Sequence, residues 1–152
     1  MPALNAYSQR FAEFLFASFP EWKAFAVEAL PEVFLYAAKG SLIVRVPCPA
    51  PSLWPPTHNW LLIDTADDEI IISWDAFHAH FDSFSGIPEH LGFTDAITFI
   101  KELIEEKLCI AVAMDGDEWR GAMVIHPGDK PKFDHGGKPY TRSWRGTYDV
   151  PL

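Results

Sequence analysis

No run in this 152-residue chain approaches the roughly 18 consecutive apolar residues of a membrane-spanning helix. The opening M-P-A-L-N-A-Y-S-Q-R also lacks the charged segment and apolar stretch of a secretory leader. A soluble cytoplasmic protein without a membrane partner is the expectation. Cysteine is scarce: Cys48 and Cys109 lie far apart with no C-x-x-C spacing, which fits two reduced, buried thiols better than a single disulfide. Catalytic signatures are missing as well. There is no G-x-S-x-G elbow, and Gly136-Gly137-Lys138 lacks the spacing and strand-to-helix setting of a phosphate loop. Cys109 sits in an apolar stretch that disfavours a thiolate nucleophile.

Basic charge is the other deficit. The chain carries 12 Lys and Arg against 21 Asp and Glu, a net charge of −9. Residues 1–119 hold 6 basic and 18 acidic side chains, a net −12, whereas residues 120–152 hold 6 basic and 3 acidic, a net +3. An acidic body repels phosphate, so nucleic acid is excluded as its partner, and a basic protein surface is favoured.

Apolar residues make up 49% of the chain and aromatic residues 14%, with 12 Phe, 6 Trp and 4 Tyr. That composition builds a core at this length, hiding roughly 70% of the unfolded surface in one domain, 1–152. Apolar spacing from Leu4 to Phe19, stopped by Pro20, predicts an amphipathic helix. Residues 21–38 fit a short helix or a strand equally. S-L-I-V-R-V-P predicts a strand ending at Pro47. Prolines 47, 49, 51, 55 and 56 then impose a stiff extended loop over 47–58 that carries Trp54 and His58.

N-W-L-L-I-D-T and E-I-I-I-S-W-D, joined across Asp67-Asp68, read as a β-hairpin. A loop over 82–93 precedes a helix from Thr94 as N-cap to Leu108. L-C-I-A-V-A-M and E-W-R-G-A-M-V-I-H, joined by D-G-D, read as a second hairpin. Beyond Pro127 periodicity fades into a basic, loop-rich tail, 127–152, with one late strand at Arg142 to Tyr148. The class expected is α+β: a single domain with an antiparallel sheet built from hairpins and helices packed on one face.

The sharpest chemical motif is D-x-x-H-x-H at Asp75, His78 and His80. Histidines spaced i, i+2 on a strand share a side and can share a metal, with a nearby carboxylate as third ligand. A half-buried aromatic strand presents the same residues with no metal, and an interface or structural role is the favoured reading. Asp134-His135 reads as a solvated turn. Two acidic clusters, Asp64, Asp67, Asp68 and Glu69 at one hairpin and Asp115, Asp117 and Glu118 at the other, keep turns soluble and blunt sheet edges. Should both tips share one end of the sheet, they form a patch that steers a basic protein. Among the tryptophans, Trp54 and Trp144 are expected to be partly exposed, and Trp60, Trp74 and Trp119 to lie in the core or on a sheet face.

F-P-E-W near the first helix, then L-L-I-D-T-A-D-D-E-I-I-I-S-W-D, F-H-A-H-F, a helix and W-R-G, resembles the immunity proteins of bacterial polymorphic toxin systems. The resemblance covers roughly Phe19 to Gly121, and its most specific piece is D-x-F-H-x-H-F at Asp75 to Phe81. It implies a small protein made beside a toxin that blocks it by direct binding; it supplies no binding residues. The leading expectation is therefore a non-enzymatic, cofactor-free cytoplasmic inhibitor whose partner is a cognate protein toxin with a basic surface. The candidate contacts are Trp54, Asp64, Asp67, Asp68, Glu69, Asp115, Asp117, Glu118 and Trp144. The alternative is a small metal-dependent enzyme using Asp75, His78 and His80.

Overall fold

The computed structural model describes residues 3–29, 38–50, 59–82 and 86–151. Helices and two antiparallel sheets give the α+β class. The chain divides into two compact units, one of Met1–Pro47, Trp60–Trp74 and His78–Thr98, the other of Cys48–Asn59, Asp75–Phe77 and Phe99–Leu152. The hairpins, expected in one sheet, build two.

In the first unit, α1 (Ala6–Ser18) starts at Asn5, whose side-chain oxygen accepts from the Ser8 N–H at 2.8 Å. It ends where Phe19 bonds back to the Leu15 carbonyl, and Pro20 opens a 3-10 turn over Pro20–Phe25. Its buried stripe is Tyr7, Ser8, Phe11, Ala12, Leu15 and Phe16; Tyr7, Phe11 and Leu15 are buried as the spacing predicts, whereas Phe14 of the same predicted face is 44% exposed. Each large member contributes about 1.5–3 kcal/mol by leaving water. The Phe93 ring meets those of Tyr7, Phe11 and Phe14 with centroids 5.2–5.5 Å apart. Thr65 accepts from the Leu42 N–H and shares a 2.5 Å hydrogen bond with Ser8, so both buried hydroxyls are satisfied.

The five-stranded sheet runs β1 (Ala26–Val27), β2 (Ile43–Pro47), β3 (Trp60–Asp64), β4 (Glu69–Trp74), β5 (Phe77–Asp82) in sequence order. The ambiguous segment 21–38 supplies the 3-10 turn and β1; its residues 30–37 lie outside the described residues. On β4, Ile70, Ile72 and Trp74 are buried and their neighbours half-buried, the alternation of a strand packed on one face. Asp67 and Asp68 make the β3–β4 turn with φ of 51° and 58°, a left-handed pair that suits a two-residue hairpin and that Asp tolerates. The run from Glu69 to Phe81 is not one strand. Asp75, with φ of 53°, reverses the chain, and the histidines fall on β5, the edge strand.

Helix α2 spans Glu89–Ile104, so it starts six residues before the Asp95 that a Thr94 cap predicts. Thr94 lies inside the helix, where its hydroxyl donates to the His90 carbonyl at 2.8 Å and so needs no cap role. The Pro88 carbonyl accepts from Leu91 and Gly92, starting the first turn through the glycine that reads as loop. Its end also comes before Leu108, because Glu106 turns left-handed with φ of 58°.

The second unit contains β6 (Cys109–Asp115), β7 (Glu118–Ile125) and β8 (Lys138–Arg142), ordered β7-β6-β8. The predicted hairpin is β6–β7. Cys109, Ala111 and Ile125 form a small core against which Met123 and Phe133 pack. The late strand lies at Lys138–Arg142 and not at Arg142–Tyr148. Residues 143–149 are instead turns, tied by Asp149, which accepts from the Ser143 N–H at 2.7 Å, and by Glu106, which accepts from the Arg145 N–H at 2.8 Å. Most of the supposed loop-rich tail is thereby part of this unit, since β8 is the third strand of its sheet.

Candidate functional site

The D-x-x-H-x-H motif is divided by the fold. Asp75 belongs to the second unit, where its carboxylate accepts from Arg142 Nη1 at 2.7 Å and from the Tyr140 hydroxyl at 2.5 Å. Both side chains of the Asp75–Arg142 pair are fully buried. Arg142 Nη2 donates to the Ala50 carbonyl at 2.9 Å and lies 3.5 Å from Cys48 Sγ. Tyr140 and Arg142 alternate with Thr141 on β8, so they share the sheet face of Val112 and Ile110, their register partners. Burial and the Asp75 carboxylate push the Tyr140 phenol far above its ordinary value, which keeps it protonated and donating. Both Asp75 oxygens are thus occupied by internal donors, and Asp75 does not fit the metal-ligand role of the alternative reading.

His78 and His80 belong to the first unit, exposed on β5. Their rings meet edge to face with centroids 5.1 Å apart, so the i, i+2 spacing does place them together. His80 Nδ1 lies 3.1 Å from Glu69 Oε1. Among the described residues no group of three or more His, Cys, Asp or Glu is arranged to hold a metal ion. Cys109 is buried and its thiol is pushed up to about 11 by that burial, consistent with an inert core thiol. Both cysteines are free. Asp134 and His135 occupy an exposed turn.

The acidic residues sort by burial. Asp64 is half-buried at the end of β3, and loss of water lifts its carboxyl to about 6, against the opposing Ala66 N–H. Glu69 is half-buried and engaged with His80, which leaves Asp67 and Asp68 as the exposed members of the first turn. At the second turn Asp115, Asp117 and Glu118 are all exposed. Arg120 pairs with Asp115 at 3.1 Å and with Glu118 at 2.9 Å. Three acids and one arginine leave that tip at −2. The two turns belong to different sheets, so the single shared sheet end imagined for them does not exist.

Among the tryptophans one expectation is reversed and another made specific. Trp144, expected at the surface, is buried, with its carbonyl accepting from the Cys48 thiol. Trp119, expected in the core or on a sheet face, lies on β7 with 54% of its surface exposed, and its indole N–H donates to the Ala76 carbonyl at 3.2 Å. Its neighbours Glu118 and Arg120 are exposed too, because E-W-R follows the turn at the free end of an outer strand. The signal was present in the position of Trp119 one residue past an acidic turn. Trp60 is half-buried beneath the Arg45 guanidinium, 3.7 Å from its ring, and Trp74 is buried in the core as expected. Trp54 and His58 lie outside the described residues.

No protein-family model matches this chain, and neither the curated proteins nor the solved structures searched contain a match. Among the described residues no helix is long and apolar enough to cross a membrane.

Proposed function

We propose that this protein is an immunity-type inhibitor, without enzymatic activity, that binds a cognate toxin in the cytoplasm and blocks it by direct occlusion. The observation that carries this reading is Trp119: a large aromatic side chain, more exposed than buried, tethered by its indole N–H and set just past the exposed acidic turn of Asp115, Asp117 and Glu118. Exposed tryptophan is costly to leave in water and is enriched among the residues that dominate binding energy. The acids around it favour a basic partner and a fast, salt-dependent encounter. The −12 charge of residues 1–119 and the family resemblance of the D-x-F-H-x-H-F run support the same role.

The interface on this reading buries roughly 1,200–2,000 Å² in total, with Trp119 near its centre and the acids at its rim. The test is co-purification with the polypeptide encoded beside this one, followed by titration. Trp119→Ala is expected to weaken that complex by about 2 kcal/mol or more, and Asp117→Lys to slow association most at low salt. Absence of a complex, or failure of this protein to protect cells expressing the neighbouring product, would reject the proposal.

A further inference from the structure

The three-stranded sheet has two unlike outer edges. On β8, Pro139 has no N–H to offer, and Thr141 exchanges both backbone hydrogen bonds with Val150 at 2.9 Å. That edge is closed. On β7 the eight residues Glu118–Ile125 include no proline, and among the described residues no backbone group pairs with their outer side.

The phase of the ladder identifies the groups that face outward. Thr141 turns its N–H and C=O toward Val150, hence away from β6, so its register partner Ala111 turns its own toward β7. Ala111 stands opposite Met123, which makes theirs the hydrogen-bonded pair. Ala122 and Val124, on either side of Met123, therefore direct their N–H and C=O groups out of the sheet. Both residues are part-exposed.

At the start of this open edge stand Trp119 and the −2 turn. A hydrophobic, unprotected outer strand normally carries a device that stops another strand from adding, such as proline or an inward charge. β8 has one; β7 bulges at Arg120, between Gly121 and Trp119, and its Ala122–Val124 stretch beyond that bulge has none. Resting on the function proposed above, we infer that β7 receives an extended segment of the partner as an added strand. Main-chain bonds to Ala122 and Val124 hold the segment, an apolar residue covers Trp119, and a lysine or arginine lies beside Asp115, Asp117 and Glu118. The charge of the turn selects a basic strand over a neutral or acidic one.

Amide hydrogen exchange, read on the full chain alone and then saturated with the polypeptide encoded beside it, tests this. The Ala122 and Val124 amides are expected to exchange freely in the isolated protein and to slow by about tenfold or more in the complex. Val124→Pro removes an outward N–H and leaves the β6–β7 bonds in place, so it should weaken the complex by about tenfold or more. Should that variant fail to fold, the exchange measurement on the unaltered chain decides. A complex in which these amides still exchange freely overturns the inference and leaves the proposed function standing. No complex at all overturns both. Protection already present in the isolated protein and lost on dilution would place a second copy of this chain on β7, which also overturns it.

Discussion

Asp75 and His78 are close neighbours in one motif, yet their surroundings are opposite. The Asp75 carboxylate is sealed from water between Arg142 and Tyr140, while His78 and His80 stand exposed on an outer strand with Glu69 as the nearby acid. Spacing alone made the three look like one site. What separates them is the turn at Asp75, which sends one end of the motif into a buried hydrogen-bond network and leaves the other in solvent. The role of an ionisable side chain follows from its burial and its donors, and sequence spacing reports neither.

The buried end is where the largest effect is expected. Arg142→Ala removes the cation and leaves a sealed carboxylate with the Tyr140 hydroxyl still in place, at a cost of about 3–5 kcal/mol. Urea unfolding measures it. The double variant Asp75→Asn/Arg142→Met removes both charges and should cost less than Arg142→Ala alone, because no uncompensated charge remains. Asn also keeps the left-handed backbone that position 75 requires. A loss below about 1 kcal/mol for Arg142→Ala would show that the network is not structural and would erase the contrast with the histidines.

Two further carboxylates sharpen the same contrast through pH. Burial would raise the Glu106 carboxyl, but hydrogen bonds from Thr147, Arg145 and Ser143 outweigh it and hold the group at about 2, below its ordinary 4.5. A lowered carboxyl stabilises the fold above its ordinary value, and that stability is lost as pH falls from 4.5 toward 2. Asp64, lifted to about 6 by burial, behaves the other way: its contribution is complete below its ordinary 3.8 and is lost as pH rises through 6. Asp64→Asn should therefore stabilise the protein by about 1–2 kcal/mol near neutral pH, allowing for partial solvent contact, and by much less near pH 4. Thermal melts across that range check this. A gain independent of pH would mean that ionisation of Asp64 is not the cause.

Legibility in the sequence followed the same division between local pattern and distant partner. The first helix, both predicted hairpins and the α+β class are readable because each rests on periodicity and turn chemistry within a few residues, as at Asp67-Asp68 and Asp115-Gly116. The start of α2 was misread because Gly92 looks like loop and Thr94 looks like a cap, when the threonine hydroxyl bonds to His90 inside the helix. The third strand of the second sheet was displaced because β8 is specified by its partner β6, far away in the chain, and carries the unpromising sequence K-P-Y-T-R. The candidate contacts fared unevenly for one reason. Aspartates at turns are exposed by local geometry, whereas the burial of Trp144 depends on how the turns after β8 pack, and the exposure of Trp119 on its place in an outer strand.

The smallest effect is expected at the histidines. His80 and Glu69 form a solvent-accessible pair, the kind worth about 0–1 kcal/mol, and the edge-to-face contact of the two rings adds little where both are exposed. The His78→Ala/His80→Ala variant should thus unfold within about 0.5 kcal/mol of the parent. The more demanding measurement is equilibrium dialysis against zinc followed by elemental analysis. A tight tetrahedral zinc site takes three or four protein ligands, and with Asp75 held by Arg142 and Tyr140 the strand offers two imidazoles and the side chain of Glu69. Substoichiometric zinc, unchanged in the double variant, is the expected result. Stoichiometric zinc that disappears with the two histidines would require Glu69 to swing onto the metal. The exposed end of the motif would then be the chemical one, and a metal-dependent activity would displace the binding role argued for Trp119.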